Sequence, residues 1–293
     1  MQKPISTAAL MICPEKDPGL SAARELLGTV SGYPLQLQIE GRFRGQLSEF
    51  SGEQFRFVSE DALYENADCA LVLGGDGSII KTAARCAPKR IPVLGVNLGR
   101  VGYLAELERS ELWMLPKLCV GEYRTEKRMM LSVSVWRDGK CIHRMTPALN
   151  DAVISNGAIS HMVDLSLSCE GLPLLRLHAD GVIAATPTGS TAYSMSAGGP
   201  VIDPALSCIC VTPVCSHSLD ARPMVLSPES ELSVENICTR EDNTYLTADG
   251  TENFKLLHGD IVKIRRSETE TEMIRFHQNS FYSLLSRKMG SRE

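Results

Sequence analysis

Gly74-Gly75-Asp76-Gly77-Ser78 is the stretch around which the chain is organised. The run before it, Cys69-Ala70-Leu71-Val72-Leu73, is apolar without polar alternation, the pattern of a strand buried on both faces in a parallel sheet. The run after it, Ile79 to Cys86, has helical composition through Ile79, Ile80, Ala83 and Ala84. The glycines are therefore expected at a strand-to-helix turn on the carboxyl edge of a sheet, where open α/β folds bind ligands. Three glycines take away the side chains that would hold a polyphosphate off the backbone, and they permit positive φ. Unpaired N–H groups at the start of the helix favour phosphate oxygens. Asp76 is out of place beside a phosphate unless it holds a metal ion or takes a proton from a substrate hydroxyl. Taken alone, the five residues also fit a tight turn closed by an Asx hydrogen bond.

Outward from this turn, Ala8 to Cys13 is expected as a first strand, Leu20 to Leu27 as a helix stopped by Gly28, and Leu35 to Ile39 as a second strand. Ile91 to Val96 follows the central turn as another strand, and this β-α-β order implies a parallel sheet. Asn97-Leu98-Gly99-Arg100-Val101-Gly102-Tyr103-Leu104 then places a second glycine loop on the same edge, either a structural turn or part of a site. From Met130 the periodicity becomes β-type: Leu131 to Arg137, Cys141 to Met145, Ala152 to Ser155 and Val163 to Cys169, with Arg137-Asp138-Gly139-Lys140 as a hairpin turn. The expected organisation is an α/β N-terminal domain with a parallel sheet and a β-rich, sandwich-like C-terminal domain, α+β overall. Its bounds are 1–120 and 121–265, with residues 266–293 a tail that packs back on the first domain.

The chain has 293 residues, 43% apolar and 22% charged, with a net charge of -5 that argues against a general nucleic-acid binder. No apolar run approaches the roughly 20 residues of a membrane span. The N-terminal Met1-Gln2-Lys3-Pro4 lacks the features of a signal peptide, so a cytoplasmic location is expected. The ten cysteines are scattered without a C-x-x-C pair and are expected as free core thiols.

Two further stretches carry chemistry. Asn150-Asp151 offers a donor, acceptors and a carboxylate suited to an adenine edge or ribose hydroxyls, although Asn-Asp alone is a turn. From Asp180 to Pro200 an apolar strand enters a loop of hydroxyl and small residues and ends in Gly198-Gly199-Pro200. Its hydroxyls and N–H groups can line a nucleotide cleft, and Tyr193 can stack on a ring.

These stretches, with His217, Ala221-Arg222-Pro223 and Thr247-Ala248-Asp249-Gly250, resemble in order the motifs of NAD kinases of the bacterial type, across residues 71–265. The GGDG loop is shared with lipid kinases and phosphofructokinases, whereas the Thr186–Pro200 run is specific. Asp151 stands where the family usually has Glu, His178 at a usually basic position, Ser78 for Thr and Tyr103 for Phe. The resemblance implies two domains with a cleft between them and transfer of the γ-phosphoryl of ATP, with Mg²⁺ or another divalent cation, to the 2′-hydroxyl of the adenosine ribose of NAD. It makes Asp76 catalytic, as base or as a metal ligand shared with substrate phosphates. It assigns the ATP phosphates to Gly74, Gly75, Gly77 and Ser78. It assigns NAD to Asn97, Gly99, Tyr103, Asn150, Asp151, His178, Asp180, Thr188, Ser190, Thr191, Ala192, Tyr193 and Ser196. It further implies a homodimer or homotetramer with active sites completed across subunits, and neither nucleic acid nor membrane as a partner.

Two alternatives compete. Another GGDG-type kinase, acting on a lipid or a sugar, would in the lipid case favour an apolar entrance or a basic membrane-facing surface, which the sequence does not supply. A non-catalytic nucleotide-binding module would be free to lose the acid, yet Asp76, Asn150 and Asp180 are all present.

By the same resemblance Asp180 reaches the nicotinamide half of the dinucleotide, where a carboxylate accepts from a carboxamide and repels a carboxylate. NAD should therefore be preferred over nicotinic acid adenine dinucleotide, and Asp180→Asn should narrow the gap. A protonated His178 would offset the charge, so the preference should grow above the reference pKa of about 6.5. The measurement is kcat/KM for both dinucleotides at two pH values, and equal use by the wild type would remove Asp180 from this role.

Overall fold

The computed structural model describes residues 2–99, 102–157, 162–218, 220–239, 243–278 and 280–290. The chain divides into two compact units, Met1–Lys127 with Thr271–Glu293, and Arg128–Glu270.

The first unit opens with strand β1 (Thr7–Ile12), helix α1 (Ser21–Val30), β2 (Gln36–Glu40), β3 (Phe55–Val58), β4 (Cys69–Gly74), helix α2 (Asp76–Cys86), β5 (Val93–Asn97) and the short β6 (Leu107–Glu108). A run of 3-10 turns over Arg109–Val120 leads to β7 (Arg124–Arg128). Strands β3-β2-β1-β4-β5 lie side by side, all parallel, and the order continues through Thr271–Arg275 to β7. Every residue of β4 and β5 is buried, which is why these strands are apolar runs rather than alternating ones. The strand order reverses between β1 and β4, and the Gly74–Ser78 turn sits on the carboxyl edge at that reversal.

Helix α1 passes through Gly28, which is exposed, and ends at Val30 instead of stopping at the glycine. Packing overrides the local preference, because Ala22, Ala23, Leu26, Leu27 and Val30 form one continuous buried stripe. The start of α1 is capped at a distance: Asp17, itself buried, accepts from the N–H groups of Ala22 and Ala23 at 3.1 and 2.9 Å.

The second unit contains β8 (Leu131–Arg137), β9 (Lys140–Arg144), β10 (Asp151–Asn156), β11 (Val163–Cys169), β12 (Leu172–Ala179), β13 (Gly181–Ala185), the one-turn helix α3 (Tyr193–Ser196), β14 (Ile209–Val214), β15 (Met224–Leu226), β16 (Leu232–Asn236), β17 (Thr244–Ala248), β18 (Glu252–Leu256) and β19 (Ile261–Arg266). They form two six-stranded antiparallel sheets, ordered β15-β14-β13-β10-β17-β18 and β12-β11-β16-β19-β8-β9. One core joins Ile154, Val182, Val211 and Leu246 of the first sheet to Leu165, Val234 and Val262 of the second. This is the sandwich expected from the sequence. The first sheet's other face covers a smaller core with Val153, Ile183 and Cys210. Three hairpins turn on an acidic residue and glycine with positive φ, Asp138-Gly139, Glu170-Gly171 and Asp249-Gly250.

The chain then returns to the first unit as β20 (Thr271–Arg275) and ends in α4 (Ser280–Gly290). The units part at residues 127/128 and 270/271, against the expected bounds of 120/121 and 265/266. The difference lies in β7, whose β-type sequence belongs to the first unit's sheet beside β20. All ten cysteines are free, and burial pushes the Cys86 thiol up to about 12. Among the described residues no helix is long and apolar enough to cross a membrane.

Helix α2 lies close on β5 because Gly95 has no side chain: a Cβ there would overlap Ile79 and come within 3.2 Å of the Ala105 backbone. Gly95→Ala should push α2 off the sheet at an overpacking cost of about 1–3 kcal/mol. Because α2 begins at Asp76, turnover should fall together with the melting temperature, and adding Ile79→Val should recover part of both. An unchanged Tm would show that the contact yields freely.

Candidate active site

Each unit carries its own group of the residues singled out in the sequence. In the first, β4 ends in Gly74 and α2 begins with Asp76. No side chain caps α2, and the Gly75 carbonyl accepts from the N–H groups of Ser78 and Ile79 at 2.9 and 3.1 Å. The freedom for positive φ is not used at these glycines: Gly75 has φ -119°, and neither Gly74 nor Gly77 has a positive φ. Gly74 is required by close approach, since a Cβ would sit 2.7 Å from both Cβ and Oγ of Ser78. At Gly75 and Gly77 an added Cβ would meet no described atom within 4 Å. Among the described residues, neither backbone strain nor packing requires glycine at those two positions.

Asp76 is fixed by the second glycine loop. Its Oδ2 accepts from the Tyr103 N–H at 2.7 Å and its Oδ1 from the Leu104 N–H at 3.2 Å. Gly102 packs so closely on this carboxylate that any Cβ would overlap it. The same charge, after burial, raises the Tyr103 phenol above its ordinary range. Arg100 and Val101, in the middle of this loop, lie outside the described residues.

Asn97 lies at the start of this loop. It is 3% exposed, and its amide is consumed in shaping the loop, donating to Glu108 Oε2 at 3.0 Å and accepting from the Gly99 N–H at 3.2 Å. Gly99 is exposed, with the Lys16 ammonium 3.7 Å from where its Cβ would be. A cavity of about 460 Å³ opens here, lined by Lys16, Asp17, Ser21, Asn97, Gly99 and Arg109 among others.

In the second unit, Asp249 organises the Asn150-Asp151 turn. Its carboxylate accepts from the N–H groups of Leu149, Asn150 and Asp151 at 2.7, 2.8 and 3.1 Å. It stands about 100 positions away in sequence, where the Thr247-Ala248-Asp249-Gly250 motif marks it without pointing to these amides. The Asn150 carbonyl accepts from the Thr186 N–H at 2.8 Å, while the Asn150 side chain bonds no described residue. Gly189 packs against the Asn150 carbonyl so tightly that a Cβ would overlap it. Asp151 is buried beside Asp249, and burial followed by Asp249's charge raises its carboxyl to about 7.

The hydroxyl-rich loop bonds largely to the chain's own carbonyls. Thr186 and Ser190 are 0% exposed: Thr186 Oγ1 donates to the Leu149 carbonyl at 2.6 Å, and Ser190 Oγ donates to that of Pro187 at 2.7 Å. Thr191 donates to the Thr188 carbonyl at 3.2 Å, and Thr188 accepts from Arg128 at 3.3 Å. These hydroxyls hold the loop's shape, because a buried loop must satisfy its own polar groups. Tyr193 and Ser196 are exposed, Ala192 half-buried, and Tyr193 keeps 45% of its surface open.

His178 and Asp180 lie elsewhere. Both are exposed; His178 Nδ1 pairs with Asp164 at 2.8 Å, and its ring meets His217 edge-on at 5.8 Å. Asp180 precedes β13 and Thr186 follows it, so six residue steps, about 20 Å of extended chain, separate the two groups.

Residues 44–122 match the ATP-NAD kinase N-terminal domain, and residues 149–276 the ATP-NAD kinase C-terminal domain. An NAD kinase of Symbiobacterium thermophilum is 38% identical over 96% of this chain and 98% of its own, and one of Geobacter sulfurreducens 41% identical over 76% and 78%. This chain belongs to the NAD kinase family. It is an ATP-dependent NAD kinase, and the lipid, sugar and non-catalytic alternatives are not favoured. The kinase's fold is that of yeast NADH kinase, crystallised with NADH (TM-score 0.89, 24% identity, all of this chain and 89% of that one). The NAD kinase from Archaeoglobus fulgidus, crystallised with ATP, superimposes with TM-score 0.74 at 25% identity over 98% of this chain and all of that one.

The carboxyl of Asp151 gives the kinase a pH-dependent stability. An unfolded aspartate titrates near about 3.9. Between that value and about 7 the native state keeps a proton that the unfolded chain has released, so this residue's contribution falls as pH rises through the window. Asp151→Asn should therefore gain in Tm relative to wild type on going from about pH 5 to about pH 8. A Tm difference independent of pH would mean that Asp151 does not titrate there.

Proposed function

We propose that Asp76 draws the proton from the 2′-hydroxyl of the NAD ribose, or holds the metal ion with the substrate phosphates, while Gly75, Gly77 and Ser78 receive the phosphates of ATP. The observation that carries this reading is the pairing of an amide-anchored carboxylate with two glycines, Gly75 and Gly77, that no described residue requires. Open backbone at the start of α2 suits phosphate oxygens, and the missing side chains let them approach. The Ser78 hydroxyl bonds no described residue, leaving it available to a ligand.

A divalent cation fits the site in a limited way. Two amide bonds occupy two of the roughly four acceptor positions of the Asp76 carboxylate, so it can still take a metal or a proton. Among the described residues no cluster of three or more His, Cys, Asp or Glu could hold a metal. That donor set suits magnesium, which is commonly held by one or two carboxylates together with substrate phosphates. When bound, the ion supplies neutralisation of charge on the transferring phosphoryl group.

In the second unit, the unbonded amide of Asn150 and the exposed ring of Tyr193 are assigned to the adenosine half of NAD. Ser190, Thr191 and Asn97 act on the ligand only through the loops they shape. The roughly 20 Å between Asp180 and the Thr186 turn supports an oligomer in which Asp180 and His178 serve a neighbouring subunit's dinucleotide. Ten free thiols support a reducing compartment, the cytoplasm.

Asp76→Asn keeps the shape of the side chain and removes its charge. Turnover should fall by about 10²–10⁴-fold, the usual worth of general-base assistance, while NAD still binds. The assay couples ATP, Mg²⁺ and NAD to NADP⁺ formation, with NAD binding followed separately by calorimetry. A variant that keeps most of its kcat would return Asp76 to the role of a turn residue.

A further inference from the structure

We propose that Arg275 is a positioning residue for phosphoryl transfer, holding Asp76 in place through the peptide chain at Leu104. The inference rests on the role proposed above for Asp76. Arg275 closes β20 and is 2% exposed. Its Nη1 donates to the Leu104 carbonyl at 3.0 Å, across 171 positions of sequence. The N–H of that same Leu104 donates to Asp76 Oδ1. The guanidinium is therefore one residue and two hydrogen bonds from the carboxylate, and its own hydrogen bonds go to Leu104, Glu106 and Glu126.

The guanidinium is itself fixed. Nε donates to Glu126 Oε2 at 3.0 Å, and Nη1 also meets Glu106 Oε2 at 3.3 Å. The Glu106 side chain is fully buried, and its Oε1 accepts from the N–H groups of Phe276 and His277, each at 2.7 Å, and meets His277 Nδ1 at 3.0 Å. The bonds run both ways: Arg275 reaches the loop after β5, and that loop's Glu106 reaches the backbone just beyond Arg275. Glu106 is tied in turn to the sheet, its N–H donating to the Gly95 carbonyl at 3.0 Å. The segment from Leu104 to Glu106 is thus pinned at both ends. A planar fork is needed to serve Glu126 and Leu104 together, which an ammonium of one point charge does not reproduce.

The experiment is Arg275→Lys, alone and combined with Asp76→Asn, with kcat and KM measured for NAD and ATP. Alone, the substitution should lower kcat by about tenfold while both KM values stay within about twofold, because only the reacting geometry is disturbed. In the Asp76→Asn background it should change the residual rate by less than about twofold, since the group it positions is already disabled. Equal losses on both backgrounds would assign Arg275 to general stability and overturn the inference, as would an unchanged kcat in the single variant. If Arg275→Lys does not fold, Glu126→Gln loosens the same guanidinium from its other side and is judged by the same two backgrounds. Retained activity in Asp76→Asn alone would instead overturn the role of Asp76, so the two failures are told apart.

Discussion

Asp76 is held by two backbone amides, those of Tyr103 and Leu104, which lie 27 and 28 positions further along the chain. The rest of the first unit is arranged to make those two bonds possible. Gly102 lets the second loop's backbone reach the carboxylate, and Gly95 lets α2 settle onto β5. Asn97 and Glu108 shape the loop from within. Hydrogen bonds to an ionised acceptor are roughly twice as strong as neutral ones, so a single carboxylate can tie two loops together. The arrangement also orients the acid, and these two bonds leave about half of its acceptor capacity unused.

The second unit uses the same device. Asp249, itself at φ 49° in a hairpin turn, gathers the amides of Leu149, Asn150 and Asp151. The backbone groups of Asn150 are spent on Asp249 and Thr186, so only its side-chain amide is left for a ligand. Burying Asp151 next to that anion has a cost, and it appears as the raised carboxyl.

The loop from Thr186 to Ser196 divides its labour by residue. Its buried hydroxyls bond to backbone carbonyls of Leu149, Pro187 and Thr188, which braces the turn that leads into α3. A preformed loop loses less entropy when a ligand binds than one that must be ordered at that moment. The polar atoms a ligand meets are then those the loop's own folding has left over.

The sequence by itself determined the α/β and β-sandwich halves, the strand-to-helix turn at Gly74–Ser78, the Asp138-Gly139 hairpin, and the family. The structural features depend on near neighbours (a five-residue apolar run, a glycine cluster, an acidic residue followed by glycine), and the family on the order of such motifs across residues 71–265. Tertiary structure decided what lies between distant segments. It carried α1 through Gly28, because a buried stripe outweighs one weak helix former. It turned Asn97, Ser190 and Thr191 inward, because a loop's own polar groups must be satisfied before a ligand's. It set Asp249 against Asn150 and Arg275 behind Leu104, pairings about 100 and 171 positions apart. No local pattern encodes such pairings, since each acid or guanidinium finds its partners only after the sheets have brought the backbone amides and carbonyls together.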